Sequence, residues 1–74
     1  MNKKTIQNNL IIPNRLKEYR LKVGLRQLDV ALELGFKSTD RICRWEKGQS
    51  YPHVVNLFKI AKLFKVSIEE LYLI

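Results

Sequence analysis

The segment QLDVALELGFKSTDRICRWEKG, residues 27–48, constrains the fold more than any other part of the chain. Val30, Ala31 and Leu34 share one helical face, and Gly35 follows as the residue that ends this helix, because glycine enters left-handed backbone conformations at no Cβ cost. After a brief turn, Ser38 or Thr39 can cap a second short helix that turns Ile42 and Trp45 inward and ends at Lys47, before Gly48. Ala31 is small enough to let the two helices approach, and Leu34, Phe36, Ile42 and Trp45 fill the wedge between them. The arrangement is a helix-turn-helix.

The flanking sequence predicts three more helices. Asn14 can cap a helix running through Val23, with Leu16, Tyr19, Arg20 and Val23 on one face. Beyond Pro52, VVNLFKIAKLF sets Val54, Leu57, Phe58, Ala61 and Phe64 on one stripe that Ile60 and Leu63 broaden, which makes it the central core helix. Ser67 and Glu70 form a capping box for a last short helix bearing Ile68 and Leu71. No strand pattern competes, so the expected class is all-α with five helices. Residues 1–13, with Pro13 biasing Ile12 away from helix, are expected to be an N-terminal arm, and residues 14–74 the folded domain.

At 74 residues there is room for one modest core. The net charge of +7 favours a polyanionic partner, and it falls in blocks: residues 14–26 carry five bases and one acid, residues 27–35 two acids and no base, and residues 36–51 four bases and two acids. The lone Cys43 forms no internal disulfide, and MNKKTIQNNLIIP has no signal-peptide apolar core, so a reducing, cytoplasmic setting is the default. No apolar run approaches the roughly 20 residues that span a bilayer, so no membrane association is expected.

The segments RLKEYRLKVGLRQLDVALELGF, RICRWEKGQSYP and NLFKIAKLFKVSIEELY resemble the phage repressor and Cro type helix-turn-helix proteins, with the compact lambda-repressor-like fold, over about residues 14–72. The resemblance implies a sequence-specific regulator, a repressor, that binds double-stranded DNA. It also implies that Gln27 touches the DNA backbone and braces the recognition helix, and that Arg20 and Glu46 form a structural salt bridge. Three positions depart from the family pattern. Arg26 stands where a small helix cap is usual, the turn is one residue longer than the shortest family form, and Lys65 replaces a common glycine at a position that can demand φ > 0.

Rotation by 100° per residue from Ile42 sets Asp40, Arg44 and Lys47 opposite the core, with Thr39, Arg41 and Cys43 on the flanks. Candidate base readers are Thr39, Asp40, Cys43 and Arg44. Arg44 is the best placed of these, because a guanidinium bonds bidentately to guanine O6 and N7. Asp40, repelled by phosphates, is expected to pair with Arg44 four residues on and fix its rotamer. Gln27, Lys37, Ser38, Arg41, Lys47, Ser50 and Tyr51 are the candidate backbone contacts. Cys43 reads as a small filler rather than a redox switch, and Lys59, Lys62 and Lys65 as a solvated face.

The apolar tail and surplus apolar residues, with Val55, Leu71, Leu73 and Ile74 as candidate interface, predict a homodimer and hence a palindromic operator. The competing function is a protein-interaction module, with a toxin, polymerase or recombinase as partner and weak DNA affinity. The sequence offers no acid/base pair, no nucleophile with its base, no metal cluster and no phosphate loop. Neither an enzyme nor a cofactor is expected.

Overall fold

The structure, a computed structural model, describes residues 11–72. Five helices follow one another: α1 (Leu16–Lys22), α2 (Gln27–Glu33), α3 (Asp40–Glu46), α4 (Val54–Phe64) and α5 (Ile68–Leu71). Among the described residues there is no strand, only an isolated antiparallel bridge between Asn14 and Tyr72. The all-α reading of the periodicities therefore holds. None of these helices is long and apolar enough to cross a membrane.

One core joins the elements. Leu16, Val30, Ala31, Leu34, Ile42, Trp45, Ile60, Ala61, Phe64, Leu71 and Tyr72 are buried together. Full burial of an aliphatic side chain such as Val30 or Ile60 contributes about 1.5–3 kcal/mol. α2 packs on α3, α1 also meets α3, and α4 packs on α5. Phe36 meets Trp45 edge to face, with ring centroids 5.9 Å apart, and closes the wedge below Ala31.

The ends of the helices have separate local causes. The N-cap of α1 is Arg15, without a side-chain cap bond, and the Asn14 side-chain oxygen one residue earlier accepts from the Leu16 amide at 3.0 Å, satisfying the first free amide of the helix. Arg26 offers α2 no acceptor, and the Asp29 carboxylate in the first turn compensates by accepting from the Arg26 amide at 2.8 Å. Thr39 stands at the N-cap of α3 without a side-chain cap bond, and Lys47 follows as C-cap, so α3 ends one residue earlier than expected. Ser67 and Glu70 bond reciprocally to each other's amides at the start of α5. Lys65 takes φ 60° between α4 and α5, as its replacement of a glycine common in the resembled family implied.

Three expectations are corrected. Val23 does not join the inward face of α1, because the chain leaves the helix there and Leu25 packs against the core instead. On α4 the buried stripe is Ile60, Ala61 and Phe64 flanked by Leu57 and Leu63, while Val54 and Phe58 are exposed. Both stripes fit the helical period, and the packing partners select the second. Leu71 is 0% exposed within the core and cannot line a dimer interface. The last residues of the expected arm meet the domain, where the Ile12 amide donates to the Gly48 carbonyl at 2.8 Å, and just after it the Arg15 amide donates to that of Leu71 at 2.7 Å. The rest of the expected arm, residues 1–10, and the interface candidates Leu73 and Ile74 lie outside the described residues.

Candidate nucleic-acid interface

α3 has two sides of different chemistry. Ile42 and Trp45 are buried, and Asp40, Arg41, Arg44 and Lys47 are exposed, with Thr39 and Cys43 half-buried between them. The split follows from the order of residues along DRICRWE once Ile42 and Trp45 enter the core. Lys37 and Ser38 are exposed in the turn before α3, while Ser50 is half-buried and Tyr51 exposed in the loop after it. The Ser38 hydroxyl lies 3.5 Å from the Asp40 amide, at the outer limit of a hydrogen bond.

The inner side of α3 is pinned through Glu46. Its carboxylate accepts from Arg20 Nε at 2.6 Å, from Arg20 Nη2 at 3.2 Å and from Gln27 Nε2 at 2.9 Å. Arg20 Nη1 donates to the Leu25 carbonyl at 2.9 Å, which occupies a further arm of the guanidinium. One carboxylate thereby ties α1, the first residue of α2 and the last residue of α3 together. The side chains of Arg20 and Glu46 are 8% and 6% exposed, so the pair is held away from water.

The exposed charges have fewer partners. Asp40 and Arg44 form no ion pair, contrary to expectation, and among the described residues the other pairs are Glu18–Lys22 and Arg26–Asp29. A pair four residues apart on an exposed helix face gains only a few tenths of a kcal/mol, too little to hold two side chains against water. Arg41 instead lies over the Phe36 ring, 4.7 Å from its centroid, which draws its guanidinium toward the turn. Asp29 is held well below its ordinary value of 3.8, at about 2, chiefly by its hydrogen bond from the Arg26 side chain.

Sequence reasoning missed three contacts. The Asn14 side chain donates to the Trp45 carbonyl at 3.0 Å, across 31 residues. Arg41 rests on Phe36, and Asp29 holds both the backbone and the side chain of Arg26. An acid three residues after an N-cap position was a legible sign of the last contact. The first two join residues from different elements and had no local sign. Among the described residues, no cluster of three or more His, Cys, Asp or Glu side chains is placed to hold a metal ion.

Comparison with known proteins agrees with this geometry. A family model described as helix-turn-helix matches residues 16–71. The chain is 43% identical over 60 residues to an uncharacterized HTH-type transcriptional regulator of Methanocaldococcus jannaschii, a match covering 81% of this chain and 89% of that one. Two uncharacterized HTH-type transcriptional regulators of Archaeoglobus fulgidus are 34% and 32% identical over 59 residues, each match covering 80% of this chain and 83% and 82% of theirs. No solved structure matches the chain.

Proposed function

The chain belongs to the helix-turn-helix family, and on that premise we propose that it is a transcriptional regulator that binds double-stranded DNA with α3 in the major groove and represses transcription. The observation that carries the reading is the division of α3. Ile42, Trp45 and Glu46 anchor one side, leaving Arg44 and Lys47 exposed on the other with no ion pair among the described residues. Repression needs only occupancy, since a bound domain excludes other proteins from the same duplex. A cytoplasmic location follows from the same reading.

Arg44 is the principal reader, with its donors open to guanine O6 and N7. Thr39 and Cys43 line the flank against a thymine methyl, and Asp40 accepts from a cytosine amine. Lys37, Ser38, Arg41, Lys47, Ser50 and Tyr51 meet phosphates, and Gln27 adds a phosphate contact through the amide hydrogen that Glu46 leaves open. Val55 pairs two copies together with its exposed neighbours Val54 and Phe58, and the two-fold axis requires a palindrome with half-sites about 34–36 Å apart.

Selection of bound duplexes from a random pool tests the proposal. A palindromic consensus, with a preference that Arg44→Ala abolishes at one position of each half-site, is the expected result. Leu21 and Leu32, large apolar side chains exposed on α1 and α2, favour the second reading of a protein-interaction module. Recovery of no preferred duplex at low salt would reject the DNA reading and leave that one.

A further inference from the structure

We propose that Asn14 is a positioning residue for DNA recognition, holding the C-terminal end of α3 to the end of α5 and so setting the pitch at which α3 meets the groove. The inference rests on the DNA-binding reading above.

The side chain of Asn14 is used almost completely. Its amide nitrogen donates to the carbonyls of Ile12 at 3.1 Å and Trp45 at 3.0 Å, and its oxygen accepts from the Leu16 amide at 3.0 Å. Three of the roughly four bonds an asparagine side chain can make are thus committed, each to backbone. The backbone around it continues the connection. Ile12 donates to Gly48, Arg15 donates to Leu71, and Asn14 itself pairs with Tyr72.

The contact on Trp45 falls where α3 needs it. The last carbonyls of a helix lack their intrahelical partners, and the Trp45 carbonyl receives the Gly48 amide at 3.1 Å as well as Asn14. Gly48 provides the seat for this strap. At φ +77° a Cβ on Gly48 would stand 2.6 Å from the Ile12 carbonyl oxygen and 2.7 Å from Ile11 Cγ2, so only a residue without one allows the approach.

The strap complements the Glu46 anchor. α3 has seven residues, so it is about 10 Å long, and a tilt of about 10° displaces one end against the other by roughly 2 Å. A bidentate contact between Arg44 and guanine tolerates about 0.5 Å. Ile42 and Trp45 fix which face of α3 turns inward, and a rigid tie to α5 at the far end removes the remaining freedom to rock.

Asn14→Asp breaks the strap while sparing α1, because an aspartate keeps an acceptor for the Leu16 amide and loses the donors to Trp45 and Ile12. The readouts are amide exchange at Lys47, Gly48 and Gln49, and the ratio of affinities for the selected and a scrambled duplex, in which the added charge cancels. We expect exchange at these amides to accelerate roughly tenfold while the amides of α1 are unaffected, and the ratio to fall roughly tenfold. Faster exchange with an unchanged ratio would overturn the positioning role, and no change in either would overturn the strap itself. If Asn14→Ala unfolds, Asn14→Asp carries the test, since it retains the acceptor for the Leu16 amide. A wild-type chain with no duplex preference would instead sink the DNA-binding reading, and the exchange measurement would still decide whether Asn14 holds α3.

Discussion

At the scale of single residues, the charge on Glu46 is heavily committed and nearly buried. It takes three hydrogen bonds from Arg20 and Gln27 in a site nearly closed to water. Glu46→Ala leaves the Arg20 cation buried without its partner, and such truncations cost about 3–5 kcal/mol. Replacing both residues, as Arg20→Met with Glu46→Leu, removes both charges and should cost much less. Urea denaturation of the wild type, both single variants and the double variant checks the expectation, and equal losses for single and double variants would refute it. Tyr72 presents the opposite case, a buried hydroxyl with no partner among the described residues. Burial pushes its phenol up from 10.0 to about 12, so the unfolded chain ionises first and stability falls as pH rises from about 10 to 12. Tyr72→Phe should raise stability by about 1 kcal/mol at neutral pH and remove that alkaline loss, as thermal melts across this range would report.

At the scale of elements, the short helices depend on what happens at their ends. Arg26 and Asp29 together start α2, with the carboxylate held at about 2 against an ordinary 3.8. The folded value is depressed, so the contribution is present above about pH 4 and is lost as pH falls toward 2. Asp29→Asn should therefore melt below the wild type at neutral pH, and the two melting curves should converge near pH 2. The turn from α4 to α5 carries strain instead. Lys65 sits at φ 60° and ψ 42°, where an L-residue is disfavoured by about 1–2 kcal/mol. Lys65→Gly relieves that and gives back part of the gain through a more flexible unfolded chain. The expected net is about 0.5–1 kcal/mol, or a melting temperature higher by roughly 2–8 °C.

At the scale of the whole molecule, one apolar surface stands out on the outer side of α4. Val54, Val55 and Phe58 are each more than half exposed, at 54%, 52% and 58%, although the core is only a turn away. With Leu71 committed to the core, this is the surface to which the proposed pairing of two copies is assigned. Phe58→Lys should convert a sedimenting dimer at tens of micromolar into a monomer. It should also weaken binding to a palindromic duplex while leaving binding to an isolated half-site unchanged. A wild-type chain that sediments as a monomer both free and on DNA would refute the pairing.

Much of this protein follows from chemistry within a few residues of each position. The helix starts near Asn14 and at Ser67, the stops near Gly35 and Gly48, and the inward turn of Ile42 and Trp45 each depend on a local rule of capping, backbone freedom or period, and such rules are legible along a chain. The left-handed Lys65 was anticipated in a different way, from the glycine that the resembled family commonly has at its place. Other features required the packed molecule. Two apolar stripes on α4 satisfy the same period, and the partners available in the core chose Ile60 over Phe58. Leu71 and Val55 are both apolar near the C-terminal half, and only packing against the core tells the covered one from the exposed one. Asn14 announces itself as a helix cap, yet its bond to the Trp45 carbonyl joins groups 31 residues apart. Arg41 turns to the Phe36 ring and Asp40 fails to hold Arg44 because exposed charges settle among competing partners, water included, and that competition is decided by distances in space.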